Sequence, residues 1–178
     1  MSRGYITFII DGQLKNSYNH DDSGPAHLGL HVLEWLRYAD HAKLITDIKN
    51  LRVVTDDLPP TEDQVRRVQE WREGQLRRLQ EWSSIESPED PDDPEDLLEE
   101  WHPLLRGTQG DPAAILAVGC TFSNRNDDGY TLDAQWAYAV NADTRTLAAG
   151  NPELGVEWPW DNLPDDTTFL AACARLIP

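Results

Sequence analysis

The sequence is poor in cysteine, in positive charge and in long hydrophobic runs. Two cysteines, Cys120 and Cys173, occur in 178 residues. That is too few for a disulfide framework, and their apolar surroundings suit buried free thiols in a reducing compartment. The unbroken apolar run Ala113 to Val118, which no other run in the chain exceeds, is far shorter than the roughly 20 residues that cross a bilayer. No membrane association is therefore expected. The first ten residues carry one Arg and a β-like apolar stretch in place of the charged and helical parts of an export signal, so the expected location is cytoplasmic. Fifteen Lys and Arg stand against 32 Asp and Glu, a formal charge of −17. Such a field repels nucleic acid and anionic membranes and attracts basic proteins. The compact motifs of enzyme chemistry are missing too. There is no Gly-x-Ser-x-Gly elbow and no His-Glu-x-x-His, and Gly107, Gly110 and Gly119 do not have the spacing of a phosphate-binding loop. No cofactor is expected.

What is present argues for one folded domain over 1–178. The hydrophobic share of 39% and seven tryptophans exclude a disordered chain, and the length is enough to bury a core without staples. Tyr5 to Ile10 alternates, Asp11-Gly12 follows, and a second short run ends at Tyr18, which is a hairpin with a two-residue turn. Ser23 or Asp22 with Pro25 opens a helix whose buried stripe is Leu28, Val32, Leu36 and Ala39, while His27, His31, Glu34 and Tyr38 share another face. Leu51 to Val54 is a short apolar segment. Thr61 to Gln64 is a capping box for a long helix, with an apolar stripe of Val65, Val68, Trp71, Leu76, Leu79 and Trp82. Ion pairs at i, i+4 are expected on that helix between Glu62 and Arg66, Asp63 and Arg67, and Glu73 and Arg77.

Glu86 to Glu100 holds nine acids and no base, broken by Pro88, Pro91 and Pro94, so an acidic, Pro-rich, exposed linker is expected at about 86–96. Leu97, Leu98, Trp101, Leu104 and Leu105 then suit a short helix docking on the body. Ala113 to Phe122 reads as a buried strand. Leu132 to Val140 alternates strictly and reads as a half-buried strand, with Thr146 to Ala149 returning beside it, and Pro164-Asp165-Asp166 opens a last helix. Trp158-Pro159-Trp160 suits cover for the sheet edge or a contact patch. The fold class is α+β: a mainly antiparallel sheet with helices packed on it.

Arg3-Gly4, the hairpin, and Tyr18-Asn19-His20-Asp21-Asp22-Ser23-Gly24-Pro25 with Leu28-Gly29 resemble an uncharacterised family. Its members start near Thr-Arg-Gly and carry Tyr-Asn-His-x-Asp-Ser-Tyr-Pro with a Leu-Gly shortly after. Trp136-Ala137-Tyr138, Asp143, Leu147 and Leu163-Pro164 resemble its second half. Ser2 replaces the family's Thr, and Gly24 replaces its Tyr. The resemblance implies a shared fold and no particular reaction.

Three functional readings compete. Histidines at i and i+4 can face one metal, so His27 and His31 with His20 form a candidate metal set, against the plainer reading that Asn, Asp and Ser before a helix cap it. Ser2, freed by removal of Met1, would be an N-terminal nucleophile with Asn19, His20 and Asp22 as its polar partners, which makes the chain a hydrolase or another small-molecule enzyme. A non-enzymatic protein-interaction role, using acidic and aromatic surface against a basic protein partner, is the leading reading.

Overall fold

The computed structural model describes residues 3–55, 57–82, 100–122, 134–150 and 155–176. Strands β1 (Gly4–Ile10) and β2 (Gln13–Asn19) form the expected hairpin. Asp11 and Gly12 take φ of 51° and 70°, the left-handed pair that a two-residue turn needs to match strand twist. Both turn amides donate to one carboxylate, Asp11 N to Asp143 Oδ1 at 2.8 Å and Gly12 N to Asp143 Oδ2 at 2.9 Å. No local pattern announces that tie, because its partners are more than 130 residues apart.

Of the alternating segment expected over Leu132 to Val140, the part from Trp136 lies in β5 (Trp136–Asn141), with Trp136, Tyr138 and Val140 buried and the residues between them half-buried; Leu132 and Asp133 lie outside the described residues. It turns back into β6 (Thr146–Gly150) and β7 (Gly155–Pro159). The five strands run in the order β2-β1-β5-β6-β7. Three neighbouring pairs are antiparallel, and β1 with β5 is parallel. The fold is α+β with a mixed, mostly antiparallel sheet. A second, two-stranded parallel sheet joins β3 (Arg52–Val54) to β4 (Cys120–Phe122).

The first helix opens as a π-helical turn, Pro25–Gly29, before continuing as α1 (Leu30–Tyr38). Gly29 explains the close seat of this turn: a Cβ there would lie 2.9 Å from Tyr138 Cε1 and 3.0 Å from Phe169 Cε1. Leu28, Val32 and Leu36 are buried as expected, and His27, His31, Glu34 and Tyr38 are all exposed. A second helix, α2 (His41–Asn50), follows at once. Its signals are Asp40, whose carboxylate accepts from the amides of Ala42 and Lys43, and the buried pair Leu44 and Ile48 at i, i+4.

The capping box holds as written: Thr61 N donates to Gln64 Oε1 at 2.8 Å, and Gln64 N to Thr61 Oγ1 at 3.4 Å. It opens α3 (Glu62–Trp82), which buries Val65 and Val68. Arg66 pairs with Asp63 and Glu70 on this helix, where the sequence suggested Glu62. α4 (Trp101–Leu105) docks through Trp101, Leu104 and Leu105. The acidic segment at 86–96, Leu97 and Leu98 lie outside the described residues.

The expected strand from Ala113 to Phe122 is corrected. Residues Pro112–Val118 are helix α5, and only Cys120–Phe122 is strand. Asp111 caps the helix, accepting from Ala113 N at 2.9 Å and Ala114 N at 3.1 Å, Pro112 occupies its first turn, and Gly119 ends it at φ 73°. Both punctuation marks stand in the sequence; the apolar run between them hid the period. The last helix, α6 (Asp166–Ala174), buries Phe169 and Cys173. Trp158 packs on Phe169 with ring centroids 5.3 Å apart, and Trp160 is buried beside His41. The Trp-Pro-Trp segment is therefore largely cover for the sheet edge.

One apolar cluster joins Ile6, Phe8 and Ile10 of β1 and Tyr138, Val140 and Leu147 of the sheet to α1, α2, α5 and α6. A smaller one gathers α3, α4, Val118 and Cys120. Between them, Lys15 projects from β2 with only 7% of its surface exposed. Its ammonium donates to the carbonyls of Ile48 at 2.7 Å, Lys49 at 3.0 Å and Leu51 at 2.7 Å. These carbonyls lie at the C-terminal end of α2, where helical pairing runs out; Ile48 O also accepts from Leu51 N at 3.3 Å. Burial pulls the Lys15 pKa down, and nearby Asp11 acts in the opposite direction.

Replacing Lys15 by Met should remove the ammonium from the three carbonyls and lower stability by about 2–4 kcal/mol in urea unfolding; an unchanged midpoint would show that water replaces the ammonium. A second expectation concerns pH. The Asp165 carboxylate caps α6 by accepting from Thr168 N at 2.7 Å, and this hydrogen bond holds its pKa below the ordinary 3.8. A carboxylate whose pKa is lowered by folding stabilises the fold above its unfolded pKa, and that contribution is lost as pH falls through the folded value. Acid unfolding monitored by circular dichroism should therefore have a shallower pH dependence below 3.8 in Asp165→Asn, which keeps an acceptor and loses the charge.

Candidate functional site

The loop that follows β2 is tied to both strands at the N-terminal end of the parallel pair. Gly4 faces Asn19 across the hairpin and Trp136 across the parallel ladder. Asn19, 3% exposed, donates through Nδ2 to Ser23 Oγ at 2.9 Å and to the Asp21 carbonyl at 3.2 Å. Ser23, with no exposed surface, donates from Oγ to the same Asp21 carbonyl at 3.1 Å. Its own carbonyl accepts from Tyr138 Oη at 2.9 Å. Burial pushes the Tyr138 phenol pKa upward, so it is a neutral donor in this bond.

The glycines around this loop are required by distance. A Cβ on Gly4 would fall 2.5 Å from Ser23 Cβ and 2.6 Å from the Trp136 carbonyl oxygen. Gly110, at φ 75°, would bring a Cβ within 2.8 Å of Asn19 Oδ1. Gly24 is different: its φ of −62° is open to any residue, so an aromatic at this position asks for no unusual backbone. Asp22 accepts from Gly24 N through Oδ1 at 3.0 Å. Gly24 itself is the residue before the π turn, and no side chain caps that turn.

The sequence-derived candidates are thus divided. Asn19 is buried in the fold. His20, Asp22, His27 and His31 are exposed around it. His20 Nδ1 lies 3.2 Å from Tyr18 Oη, His27 Nε2 lies 3.4 Å from Asp22 Oδ2, and His31 Nε2 lies 3.9 Å from Asp111 Oδ1. The three histidines turn to three different partners, and among the described residues no three His, Cys, Asp or Glu side chains are grouped to hold a metal ion. Ser2 lies outside the described residues. Cys120 and Cys173 are buried free thiols, and burial raises the pKa of Cys173 to about 11. At neutral pH these are small apolar side chains rather than nucleophiles.

A second feature was not anticipated, because it needs α2 and α5 to be recognised as helices. Trp35, Leu44 and Leu116, from α1, α2 and α5, floor an open groove of about 210 Å³, and Ala113 and Ala117 form its α5 wall. Asp40, Lys43 and Asp47 line it on the α2 side. Lys43 is ion-paired with Asp47. Asp40 also caps α2.

If the loop is structural, Gly4→Ala should cost at least about 2 kcal/mol through overpacking. Ser23→Ala should cost about 1–2 kcal/mol through the lost hydrogen bonds. The exposed His20→Ala should change stability by less than about 0.5 kcal/mol. Calorimetric unfolding of the three variants checks the order, and a His20 variant as damaging as Ser23→Ala would contradict it.

Set against protein-family models, curated proteins and solved structures, the chain matches none of them. The resemblance drawn from its motifs therefore rests on those residues alone.

Proposed function

We propose that this chain is a non-enzymatic interaction protein that binds a basic protein partner. The observation that carries this reading is the groove between α1, α2 and α5, which joins an apolar floor to the carboxylates of Asp40 and Asp47 in a chain of net charge −17. An apolar centre gives affinity, and acidic groups around it steer a cationic partner and reject an acidic one. The competing hydrolase reading draws its nucleophile from Ser2, which lies outside the described residues. Two of the polar groups nominated beside it, Asn19 and Asp22, make hydrogen bonds to the loop itself. No helix among the described residues is long and apolar enough to cross a membrane. A cytoplasmic setting accords with two free thiols.

The test removes charge without removing the helix cap. Asn is as good an N-cap as Asp, so Asp40→Asn/Asp47→Asn should fold as the parent does. Titration calorimetry with a cationic Leu/Lys peptide should show binding that weakens as salt is raised. The double variant should bind several-fold more weakly, with a shallower salt dependence. Equal binding by parent and variant would place the cationic contact elsewhere and overturn the assignment to this groove.

A further inference from the structure

We infer that the groove receives a partner as an α-helix: a basic amphipathic helix that inserts its apolar ridge between α1, α2 and α5 and sets Lys or Arg beside Asp40 and Asp47. This inference rests on the function proposed above and adds the form and the side-chain chemistry of the partner.

The first argument is the backbone. Apart from Ala39 and Asp40 at the α1–α2 junction, the lining comes from helices and none of it from a strand, and the first-turn amides of Lys43 and Ala113 are already taken by the carboxylates of Asp40 and Asp111. An extended peptide would find no strand edge there to extend. Recognition must go through side chains, which is how a helix lies in a groove.

The second argument is shape. The floor is fixed before any partner arrives: Trp35 stands edge-on to Phe8 of β1, with ring centroids 6.4 Å apart at 85°, and Leu44 is 3% exposed. The α5 wall, by contrast, ends in methyl groups. Ala113 and Ala117 are exposed and four residues apart on one face, so a helix can approach α5 closely and pack its ridge along that row. A volume of about 210 Å³ exceeds the roughly 150 Å³ that holds a benzene-sized group. It suits a Leu, Met or aromatic anchor with its i+3 or i+4 neighbour.

The third argument is charge. Lys43 is the lone cation of the lining, and it is ion-paired with Asp47, leaving the lining with a net negative charge. Two copies of a chain at −17 would repel each other across this surface. The occupant that both the floor and the rim accept is a cationic helix from another protein.

The experiment uses the whole chain and two fluorescent peptides of identical composition, about five helical turns of Leu and Lys. One has Leu at i, i+3, i+4 and i+7, and the other has the same residues scrambled so that no apolar face forms. The patterned peptide should bind about tenfold or more tightly than the scrambled one. Its binding should shift the NMR signals of the Ala113 and Ala117 methyls and the Trp35 indole. Ala117→Glu fills the groove while keeping the acidic sign, and it should weaken the patterned peptide about tenfold and leave the scrambled peptide unaffected or slightly tighter. Ala113→Glu, at the other exposed alanine, provides a second variant should the first unfold. If both peptides bind the parent equally, a basic partner is retained and the helical mode is overturned. Failure of both to bind at low salt overturns the proposed function itself. Tight binding of the patterned peptide that neither glutamate variant weakens overturns the site.

Discussion

The contact between Gly4, Ser23 and the β5 backbone is the constraint on which this fold depends. A hairpin from the first twenty residues lies alongside a strand that begins at Trp136, and its first strand, β1, runs parallel to that strand. At the start of that pairing the Ser23 loop passes so close to β1 that only a glycine fits at position 4. Asn19 then fixes the loop from one side and Tyr138 from the other. Gly29 lets the π turn settle on the Tyr138 ring. Several of the motif residues singled out in the sequence, Gly4, Asn19, Ser23, Gly29 and Tyr138, are members of this one assembly. Together these buried residues close the sheet against the first helix. A polar motif beside a helix start invites a catalytic reading, yet its most buried members satisfy one another and the backbone, as buried polar groups generally must.

Much of the architecture is legible in the sequence, and the legible parts share a cause. The Asp11-Gly12 turn, the Thr61–Gln64 capping box and the Asp165 cap are each set by neighbours a few residues away. Their chemistry is complete within the local sequence. The parallel β1–β5 pair, the Asp143 clamp on the hairpin turn and the Lys15 cap on α2 join residues distant in the chain. No local pattern encodes them. The strand expected over Ala113 to Phe122 is a different kind of case: a short apolar run has no visible period, and Asp111-Pro112 and Gly119 were the marks that decided it. With α2 unrecognised and α5 read as a strand, the groove could not be foreseen, because it exists only where three helices meet.

Charge and fold are largely separable in this molecule. The close contacts that hold the core together are neutral hydrogen bonds and apolar packing, with Lys15 the one buried ion among the described residues. The ion pairs that accompany them are mostly exposed, such as Arg66 with Asp63, and exposed pairs of this kind contribute little to stability. The acidic character therefore has scope to serve solubility and recognition without being needed for the architecture.

The parallel pairing of β1 with β5 also bears on how the chain is made. Ile6, Phe8 and Ile10 emerge from the ribosome early, but the strand that completes their sheet is synthesised more than 120 residues later. At translation rates of about 5–20 residues per second, that is a delay of several seconds or more. Throughout it the edge of β1 that β5 will take is unpaired, and α6, the last of the helices that cover its apolar face, is still to come. The nascent chain is thus obliged to hold an adhesive strip in waiting, and its production depends on whatever shields that strip, a chaperone or the chain's own repulsive charge, until Trp136 arrives.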